Sequence, residues 1–290
     1  MEMELRTVDS LDAALDVLAD RGADCQVLAG GTDVMIQLAR GEIAPAVLLH
    51  VENVPELQGV SANGATRIGS LVTHRALAKG LLGPRYRALA EAAGTVGGLQ
   101  TQSVGTLGGN VCNASPAADT LPALLVHDAQ VALRGRAGSR TVPLEEFVVG
   151  RRATTRRPDE LLTEIVLATP PECTGDVYLK VGRRSAMEVA IVGLAMRLTF
   201  DGDDVTDARI ALAAVGPRPL RSPAAEAALI GSRLEPRAIE TAVDAVLRDI
   251  SPIDDLRGSA DYRRRVVPGL LERAAGICAQ RAGRTPEHEE

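Results

Sequence analysis

The segment that begins at Thr106 combines paired glycines with hydroxyl, amide and carboxylate side chains, a composition suited to ligand binding. It runs Thr106-Leu-Gly-Gly-Asn110 and reaches Asp119 without a long aliphatic run. Gly108 and Gly109 permit a positive φ and allow another molecule to approach the backbone closely. The polar side chains around them supply hydrogen-bond donors and acceptors. This composition differs from that of a core element and predicts a loop that binds a ligand.

A second segment, Ala29-Gly-Gly-Thr-Asp33, follows the same design of an apolar run, two glycines, a hydroxyl and a carboxylate. Residues 34–38 come next and form a short helical pattern, whose first turn would offer free N–H groups to an anion. Each loop alone is explained equally well by a tight turn. Together they predict two binding loops for one long ligand that carries phosphate groups.

The commoner nucleotide-binding signatures are absent from the sequence. A Rossmann-type dinucleotide site would need GxGxxG after the first strand, and the sequence has no such pattern there. It also lacks GxxxxGK followed by Ser or Thr, which argues against a nucleoside triphosphatase. The net charge of −6 at pH 7 argues against a nucleic-acid-binding protein, because such a protein needs a basic face.

Composition and cysteine use indicate a folded protein of a reducing compartment. Hydrophobic residues make up 46% and charged residues 24% of the chain, which is ordinary for globular proteins. The sequence has neither a signal-peptide pattern at its start nor an apolar run of transmembrane length, so we expect a cytoplasmic protein. No spacing suited to zinc appears, and no metal site is predicted. The cysteines are far apart and read as free thiols: Cys25, Cys112, Cys173 and Cys278.

The predicted helices and strands divide the chain into three folded parts and a tail. Residues 1–54 predict a helix capped by Ser10 and then the β–loop–α–β order of a small first lobe. Residues 55–171 predict a second lobe of short strands and helices. Residues 172–282 predict three strands followed by helices, and residues 283–290 a polar tail. The predicted strands of these last two folded parts are 57–60, 66–68, 129–133, 141–143, 161–167, 177–181, 189–200 and 205–215, and the stripe expected to be buried on the last helix is Val266, Leu270, Ala274 and Ile277.

The order and spacing of the two loops resemble those of the FAD-binding medium subunit of the molybdenum hydroxylases, the family that includes bacterial carbon monoxide dehydrogenase and xanthine dehydrogenase. In that family the first loop reads approximately AGGxD/S, and the second reads TxGGN followed by ASPxxD, as in Ala114-Ser-Pro-Ala-Ala-Asp119 here. The resemblance covers the chain to about residue 279. It implies an α+β fold, with a two-lobed FAD-binding domain of the vanillyl-alcohol-oxidase-like (PCMH) type. A C-terminal domain with a three-stranded antiparallel sheet and a helical layer follows.

The resemblance implies FAD as the cofactor. The pyrophosphate of FAD needs several N–H donors at close range, and glycine loops provide them. A cationic Lys180 near the flavin would raise its potential, although a solvated strand end would explain this lysine without the resemblance. Val96 stands where some relatives carry an aromatic contact. The residues that match the family's cofactor contacts are Ala29, Gly30, Gly31, Thr32, Asp33, Thr106, Leu107, Gly108, Gly109, Asn110, Asp119, Leu162 and Lys180.

The resemblance also implies partner chains. A molybdopterin-binding large subunit would oxidise the substrate, and a small subunit would carry 2Fe-2S clusters, with the whole assembled as a dimer of heterotrimers. The medium subunit would pass electrons from the clusters through FAD to an external acceptor. The sequence agrees with this role, because it shows no cluster cysteines and no nucleophile with a positioned base. No catalytic residue is therefore predicted in this chain.

Two other classes of function stay open. A stand-alone flavin-dependent reductase or oxidase on the same fold would need a substrate-facing base, or a His or Cys bonded to the flavin. His50, His74 and His127 have no recognisable context of that kind. For His74 we favour a structural role, because it falls in the first turn of a predicted helix without an evident partner. The third class is a non-catalytic binding module in which the glycine loops are only turns.

Overall fold

A parallel three-stranded sheet forms the N-terminal part of the molecule. The computed structural model describes residues 3–284. The order of the first sheet is β1-β3-β2, with β3 parallel to both neighbours. Ser10 caps the first helix as predicted, since its side chain accepts a hydrogen bond from the Ala13 N–H at 3.3 Å. The elements of this part are β1 (Glu4–Thr7), α1 (Leu11–Arg21), β2 (Cys25–Leu28), α2 (Val34–Ala39) and β3 (Val47–His50).

The central part is an antiparallel five-stranded sheet with helices packed against it. Its strand order is β4-β5-β10-β6-β7, and a separate two-stranded sheet joins β8 to β9. The hairpin predicted around 129–143 is present as β6 and β7. The elements are β4 (Val60–Asn63), β5 (Ala65–Gly69), α3 (His74–Ala78), α4 (Arg87–Gly94), α5 (Leu99–Val104), α6 (Leu107–Asn113), α7 (Thr120–Leu125), β6 (Gln130–Gly135), β7 (Gly138–Pro143), α8 (Leu144–Phe147), β8 (Val148–Gly150), β9 (Ala153–Thr154) and β10 (Leu161–Ala168).

The strand predicted at 57–60 is wrong for most of its length. Pro55–Leu57 form a 3-10 helix, and β4 begins only at Val60. Pro55 fixes its own φ near the helical value and has no N–H to give to a sheet, which favours a turn at this point. Leu57 is fully buried by this turn instead of by a strand.

The C-terminal part is an antiparallel sheet covered on one face by helices. Its order is β11-β12-β13-β14, so the three predicted long strands are joined by a fourth strand that was not predicted. Two residues are too few for an alternating pattern, and β14 is recognised only by its pairing with β13. The elements are β11 (Thr174–Val181), β12 (Val192–Asp201), β13 (Asp204–Ala213), β14 (Leu220–Arg221), α9 (Pro223–Leu229), α10 (Pro236–Asp249) and α11 (Ala260–Arg281).

The buried stripe of α11 is wider than the predicted one. Ala274 is buried as predicted, whereas Val266, Leu270 and Ile277 are only partly buried at its edge. The helix packs against β11, β12 and α10 together, so it buries residues over more than one narrow face. The fully buried apolar positions include Val267, Leu271 and Cys278.

Alternate residues of β11 connect the C-terminal sheet to the central part. Asp176, Tyr178 and Lys180 are two positions apart, so their side chains lie on one face of the strand. Asp176 Oδ2 accepts a hydrogen bond from the Ala88 N–H at 2.9 Å and lies 2.9 Å from His127 Nε2. Tyr178 belongs to the same hydrophobic cluster as the residues of α7. This face of β11 therefore brings Tyr178 and Lys180 to the start of α7.

Within residues 3–284, no helix combines the length and the apolar character needed to span a membrane. The polar tail predicted at 283–290 lies outside the described residues from 285 onward.

Candidate functional site

The first glycine loop joins the end of β2 to the start of α2 and presses against the central part. Gly31 has a positive φ of 70°, which favours glycine at that position. A Cβ built on Gly30 would lie 1.6 Å from the Val104 carbonyl oxygen, so only glycine allows this contact. A Cβ built on Gly105 would lie 3.5 Å from Thr32 Oγ1. The first loop therefore lies directly beside the residues that lead into the second predicted loop.

Three successive backbone donors of the first loop are available to a ligand. The N–H groups of Thr32, Asp33 and Val34 make no hydrogen bond to any other group within residues 3–284. Adjacent unpaired N–H groups bind phosphate oxygens well, because they place several partial positive charges together. This arrangement fits the pyrophosphate of FAD.

The second predicted loop is the start of helix α6, which corrects the expectation of an open loop. Thr106 is the N-cap of α6, and its Oγ1 accepts a hydrogen bond from the Gly109 N–H at 3.1 Å. The N–H groups of Leu107 and Gly108 donate to Val72 and Ser70 carbonyls, each at 2.9 Å. These bonds use the donors that were expected to bind phosphate.

The two glycines of α6 also differ from the prediction and from each other. Gly108 and Gly109 do not have positive φ values. A Cβ on Gly108 would lie 2.6 Å from Ser70 Cβ, so this glycine permits close packing of α6 against the end of β5. Gly109 is exposed, and a Cβ there would meet only Thr106 Oγ1, at 2.9 Å. The absence of a side chain at Gly109 therefore leaves open surface at the start of α6. At Gly108 it allows α6 to pack closely against Ser70.

A cleft with a volume of about 350 Å³ lies between the N-terminal part and the central part. Both predicted loops contribute to its wall, through Gly30 and Thr106. Leu71, Val72 and Ser103 also line it, and none of the three was predicted from the sequence. Their apolar or hydroxyl side chains carry no pattern that distinguishes them from core or surface residues. The volume lies within the range of about 300–1,000 Å³ that is usual for ligand pockets.

Asp119 and Lys180 form a buried ion pair between the central and C-terminal parts. Lys180 Nζ donates to Asp119 Oδ2 at 2.8 Å and to the Thr95 carbonyl at 2.9 Å. The Lys180 side chain is 11% exposed and that of Asp119 is 8% exposed. Lys180 is therefore not a solvated strand end. Tyr178, which was not predicted from the sequence, donates from its hydroxyl to Asp119 Oδ1 at 2.6 Å.

Burial dominates the electrostatics of this cluster. It raises the pKa of Asp119 above the ordinary value, while the Lys180 charge and the hydrogen bonds from Lys180 and Tyr178 oppose that rise. Burial and the neighbouring Asp119 carboxylate hold the pKa of Tyr178 well above its usual range. The signal that could have identified Tyr178 is its position two residues before Lys180 on the same strand, which places both on one face.

Asn110 joins helix α6 to the start of α7, next to the ion pair. Its Oδ1 accepts a hydrogen bond from Thr120 Oγ1 at 2.6 Å, and Thr120 directly follows Asp119. Within the described residues, the wall of the cleft does not include Asp119 or Lys180. The predicted residues thus occupy two neighbouring places, the cleft and the ion pair.

Asp33 and Leu162 lie in different surroundings. Burial raises the pKa of Asp33, and the Arg152 charge and a hydrogen bond with Asn113 act against that rise. Asn113 also accepts a hydrogen bond from Gln37 at 3.0 Å, which ties α2 to α6. Leu162 is 3% exposed on β10 within the central hydrophobic cluster and is not one of the residues that line the cleft.

His74 has the surroundings of a structural residue. It is 2% exposed, its backbone N–H donates to the Gly105 carbonyl at 3.0 Å, and its Nδ1 has no hydrogen-bond partner in the described chain. Burial lowers the pKa of His74 to about 4, so the ring is neutral at pH 7. This agrees with the structural role favoured from the sequence.

Comparisons with known proteins identify a family over nearly the whole chain. Residues 1–170 match the model of the FAD binding domain in molybdopterin dehydrogenase, and residues 177–276 match that of the CO dehydrogenase flavoprotein C-terminal domain. The chain is 30% identical over 278 residues to a xanthine dehydrogenase FAD-binding subunit of Escherichia coli O157:H7, with 94% of this chain and 95% of that protein covered. It is likewise 30% identical to the carbon monoxide dehydrogenase medium chain of Hydrogenophaga pseudoflava, with 93% and 95% covered.

A solved structure agrees with these sequence matches. A chain of carbon monoxide dehydrogenase from Hydrogenophaga pseudoflava superimposes with a TM-score of 0.92 at 30% identity, with 97% of this chain and 98% of that chain covered. A chain of quinoline 2-oxidoreductase from Pseudomonas putida 86 superimposes with a TM-score of 0.87 at 26% identity. The protein therefore belongs to the family of FAD-binding medium subunits of the molybdenum hydroxylases, the family that its two glycine segments resemble.

Proposed function

We propose that this chain carries FAD as the medium subunit of a heteromeric molybdenum hydroxylase and passes electrons from 2Fe-2S clusters of a partner chain to an external acceptor. The observation that carries the proposal is the cleft between the two parts, with three unpaired N–H groups on the adjoining glycine loop. FAD, when bound, supplies the redox chemistry, because it accepts and releases electrons. The chain is then an oxidoreductase subunit without catalytic side chains of its own.

The proposed contacts divide by chemistry. The first glycine loop donates N–H groups to the pyrophosphate, and Asp33 is the carboxylate nearest to them in the chain. The exposed surface at Gly109 and the Asn110 side chain adjoin the cofactor from the other side. The ion pair of Asp119 and Lys180 supplies a charged contact, which the burial of both side chains makes stronger than it would be in water. The full proposed set is Ala29, Gly30, Gly31, Thr32, Asp33, Thr106, Leu107, Gly108, Gly109, Asn110, Asp119, Leu162 and Lys180.

The proposed partners are a molybdopterin-binding large subunit and a small subunit with 2Fe-2S clusters, in a dimer of heterotrimers within the cytoplasm. Names such as "medium chain" and "FAD-binding subunit" among the relatives support a multi-subunit enzyme. The related proteins are named for different substrates, which supports the proposal that the substrate is bound by another chain. The domain boundaries at 54, 171 and 282 remain proposals from the sequence.

Purification of the tagged full chain from its source organism tests this function. We expect stoichiometric FAD, copurification of a molybdopterin-containing chain and an iron–sulfur chain, and FAD reduction that requires those partners. A yellow chain that is isolated alone and turns over a substrate would instead indicate a stand-alone flavoenzyme. A colourless chain that does not take up added FAD would indicate a non-catalytic module.

A further inference from the structure

We propose that Tyr178 is a positioning residue of the FAD site, which fixes the Asp119 carboxylate so that Asp119 in turn holds the Lys180 ammonium group in place. The inference rests on the FAD site proposed above and adds a residue to it. Tyr178 lies on β11 and is 4% exposed, so its hydroxyl needs a partner inside the protein.

Each of the two Asp119 carboxylate oxygens accepts a hydrogen bond from a different donor. Tyr178 Oη donates to Asp119 Oδ1 at 2.6 Å, and Lys180 Nζ donates to Asp119 Oδ2 at 2.8 Å. A carboxylate with one donor on each oxygen cannot rotate without losing one of them. Because Lys180 also donates to the Thr95 carbonyl at 2.9 Å, its ammonium group is fixed from two sides. Loss of the Tyr178 hydroxyl would free one oxygen and allow the carboxylate to turn.

The neighbouring strand is built to let the Tyr178 ring reach Asp119. Gly193 lies on β12 and pairs with Lys180 in the register of the sheet. A Cβ on Gly193 would lie 2.5 Å from Tyr178 Oη and 3.2 Å from Cζ. Gly193 does not have a positive φ, so backbone conformation does not explain this glycine. Glycine is needed at this position because any side chain would occupy the space of the Tyr178 ring. The contact between Tyr178 and Asp119 is therefore a specific feature of the fold.

The backbone of Tyr178 is fixed as well. Its N–H donates to Glu91 Oε2 at 2.9 Å, and Glu91 in turn pairs with Arg281 at the end of α11. The charged group that acts on the Asp119 carboxylate is Lys180 on β11, whereas Glu91 on α4 and Arg281 on α11 lie at the backbone of Tyr178. Since the Tyr178 hydrogen bond lowers the pKa of Asp119 against the effect of burial, its loss moves that pKa upward.

The Tyr178→Phe variant of the full chain tests the inference, with the dissociation constant of FAD measured by flavin fluorescence over a pH series. At pH 7 we expect the dissociation constant to rise about tenfold, as for one hydrogen bond to a charged group. The loss of affinity on acidification should also begin at a higher pH than in the wild type, because Asp119 then becomes protonated more readily.

Tyr86→Phe is the matched control. Tyr86 is also buried, and its hydroxyl oxygen lies 2.9 Å from Thr66 Oγ1 and 3.2 Å from the Ala168 carbonyl oxygen. Its replacement therefore removes a buried tyrosine hydroxyl that has no contact with Asp119. We expect a lower melting temperature but an unchanged FAD dissociation constant and pH profile. If Tyr178→Phe gives this same result, the inference is overturned.

Two further variants keep the test decisive. If Tyr178→Phe does not fold, Gly193→Ala displaces the ring while keeping the hydroxyl, and an unchanged FAD dissociation constant and pH profile in that variant would refute the inference. Asp119→Asn separates this inference from the proposed site. If Asp119→Asn leaves FAD affinity unchanged, the site itself is wrong. If Asp119→Asn weakens binding and Tyr178→Phe does not, only the role of Tyr178 is rejected.

Discussion

Gly30 and Val104 are in contact through their backbones, and a Cβ on Gly30 would lie 1.6 Å from the Val104 carbonyl oxygen. Gly30 belongs to the loop between β2 and α2, and Val104 ends α5. This contact brings the N-terminal part against the central part and forms one wall of the cleft. Gly30 does not have a positive φ, so backbone conformation does not require glycine here. The close approach of the N-terminal part to the central part does.

Gly30→Ala is expected to separate the first loop from α5 and to weaken FAD binding by more than tenfold, because the added methyl group cannot be accommodated against backbone. Isothermal titration of the apoprotein with FAD measures the effect. Gly276→Ala is the control, since a Cβ at this helical position meets nothing within 4 Å. The control should keep FAD affinity and raise stability by about 0.5–1 kcal/mol. Equal FAD affinity in both variants would contradict the role of Gly30.

Gly108 and Gly109 are expected to give opposite results when each is replaced by Ala. At Gly108 the methyl group would lie 2.7 Å from the Ser70 carbonyl oxygen, so we expect a loss of about 1–3 kcal/mol in unfolding free energy. At the exposed Gly109 we expect stability within about 0.5 kcal/mol of the wild type but weaker FAD binding.

Gly109→Val should abolish FAD retention, because its branched side chain fills the surface beside the cleft. Chemical denaturation and FAD titration of each variant separate the two effects, and normal FAD occupancy in Gly109→Val would remove Gly109 from the site.

The α6 glycines also show how far the sequence alone could be used. The glycine pairs identify two segments that border the cleft, because paired glycines allow close approach of the backbone to another group. They do not distinguish a free loop from a capped helix, since that depends on whether Ser70 and Val72 provide carbonyl acceptors from β5 and the residues after it. The Asp119–Lys180 contact was not predicted, because the two residues are 61 positions apart and the resemblance implied only that each of them contacts the cofactor. Tyr178 could have been suggested by its position two residues before Lys180 on the predicted strand 177–181, but its hydrogen bond to Asp119 depends on tertiary packing that the sequence does not show.

Asp255 is expected to make stability depend on pH at the acidic end. Hydrogen bonds from Arg257 and the charges of Arg257 and Arg263 outweigh desolvation and lower the pKa of Asp255 from 3.8 to about 2. The stabilisation is thus fully present above the unfolded-state value of 3.8 and is lost as pH falls towards 2. Asp255→Asn should lower the unfolding free energy by about 2–3 kcal/mol at pH 7, because it weakens the hydrogen bond to the buried Arg263.

Urea denaturation at several pH values measures this dependence on Asp255. The difference between the wild type and Asp255→Asn should shrink between pH 4 and pH 2, as Asp255 becomes protonated. Asp254→Asn is the control, because Asp254 is an adjacent exposed carboxylate whose hydrogen bond within residues 3–284 comes from the Ala260 N–H. If the difference in unfolding free energy between the wild type and Asp255→Asn stays constant over this pH range, the charge of the Asp255 carboxylate does not stabilise the protein.

Lys180→Met is expected to lower the midpoint potential of bound FAD. A positive charge near the flavin stabilises its reduced, anionic form, and the 11% exposure of the Lys180 side chain limits screening by water. A loss of about 1–2 kcal/mol of this stabilisation corresponds to roughly 20–40 mV for a two-electron couple. Lys79→Met provides the control, because Lys79 is exposed at the end of α3 and is the only other lysine of the chain. Spectroscopic redox titration of both variants should show the shift in Lys180→Met alone, and equal potentials would place Lys180 away from the flavin.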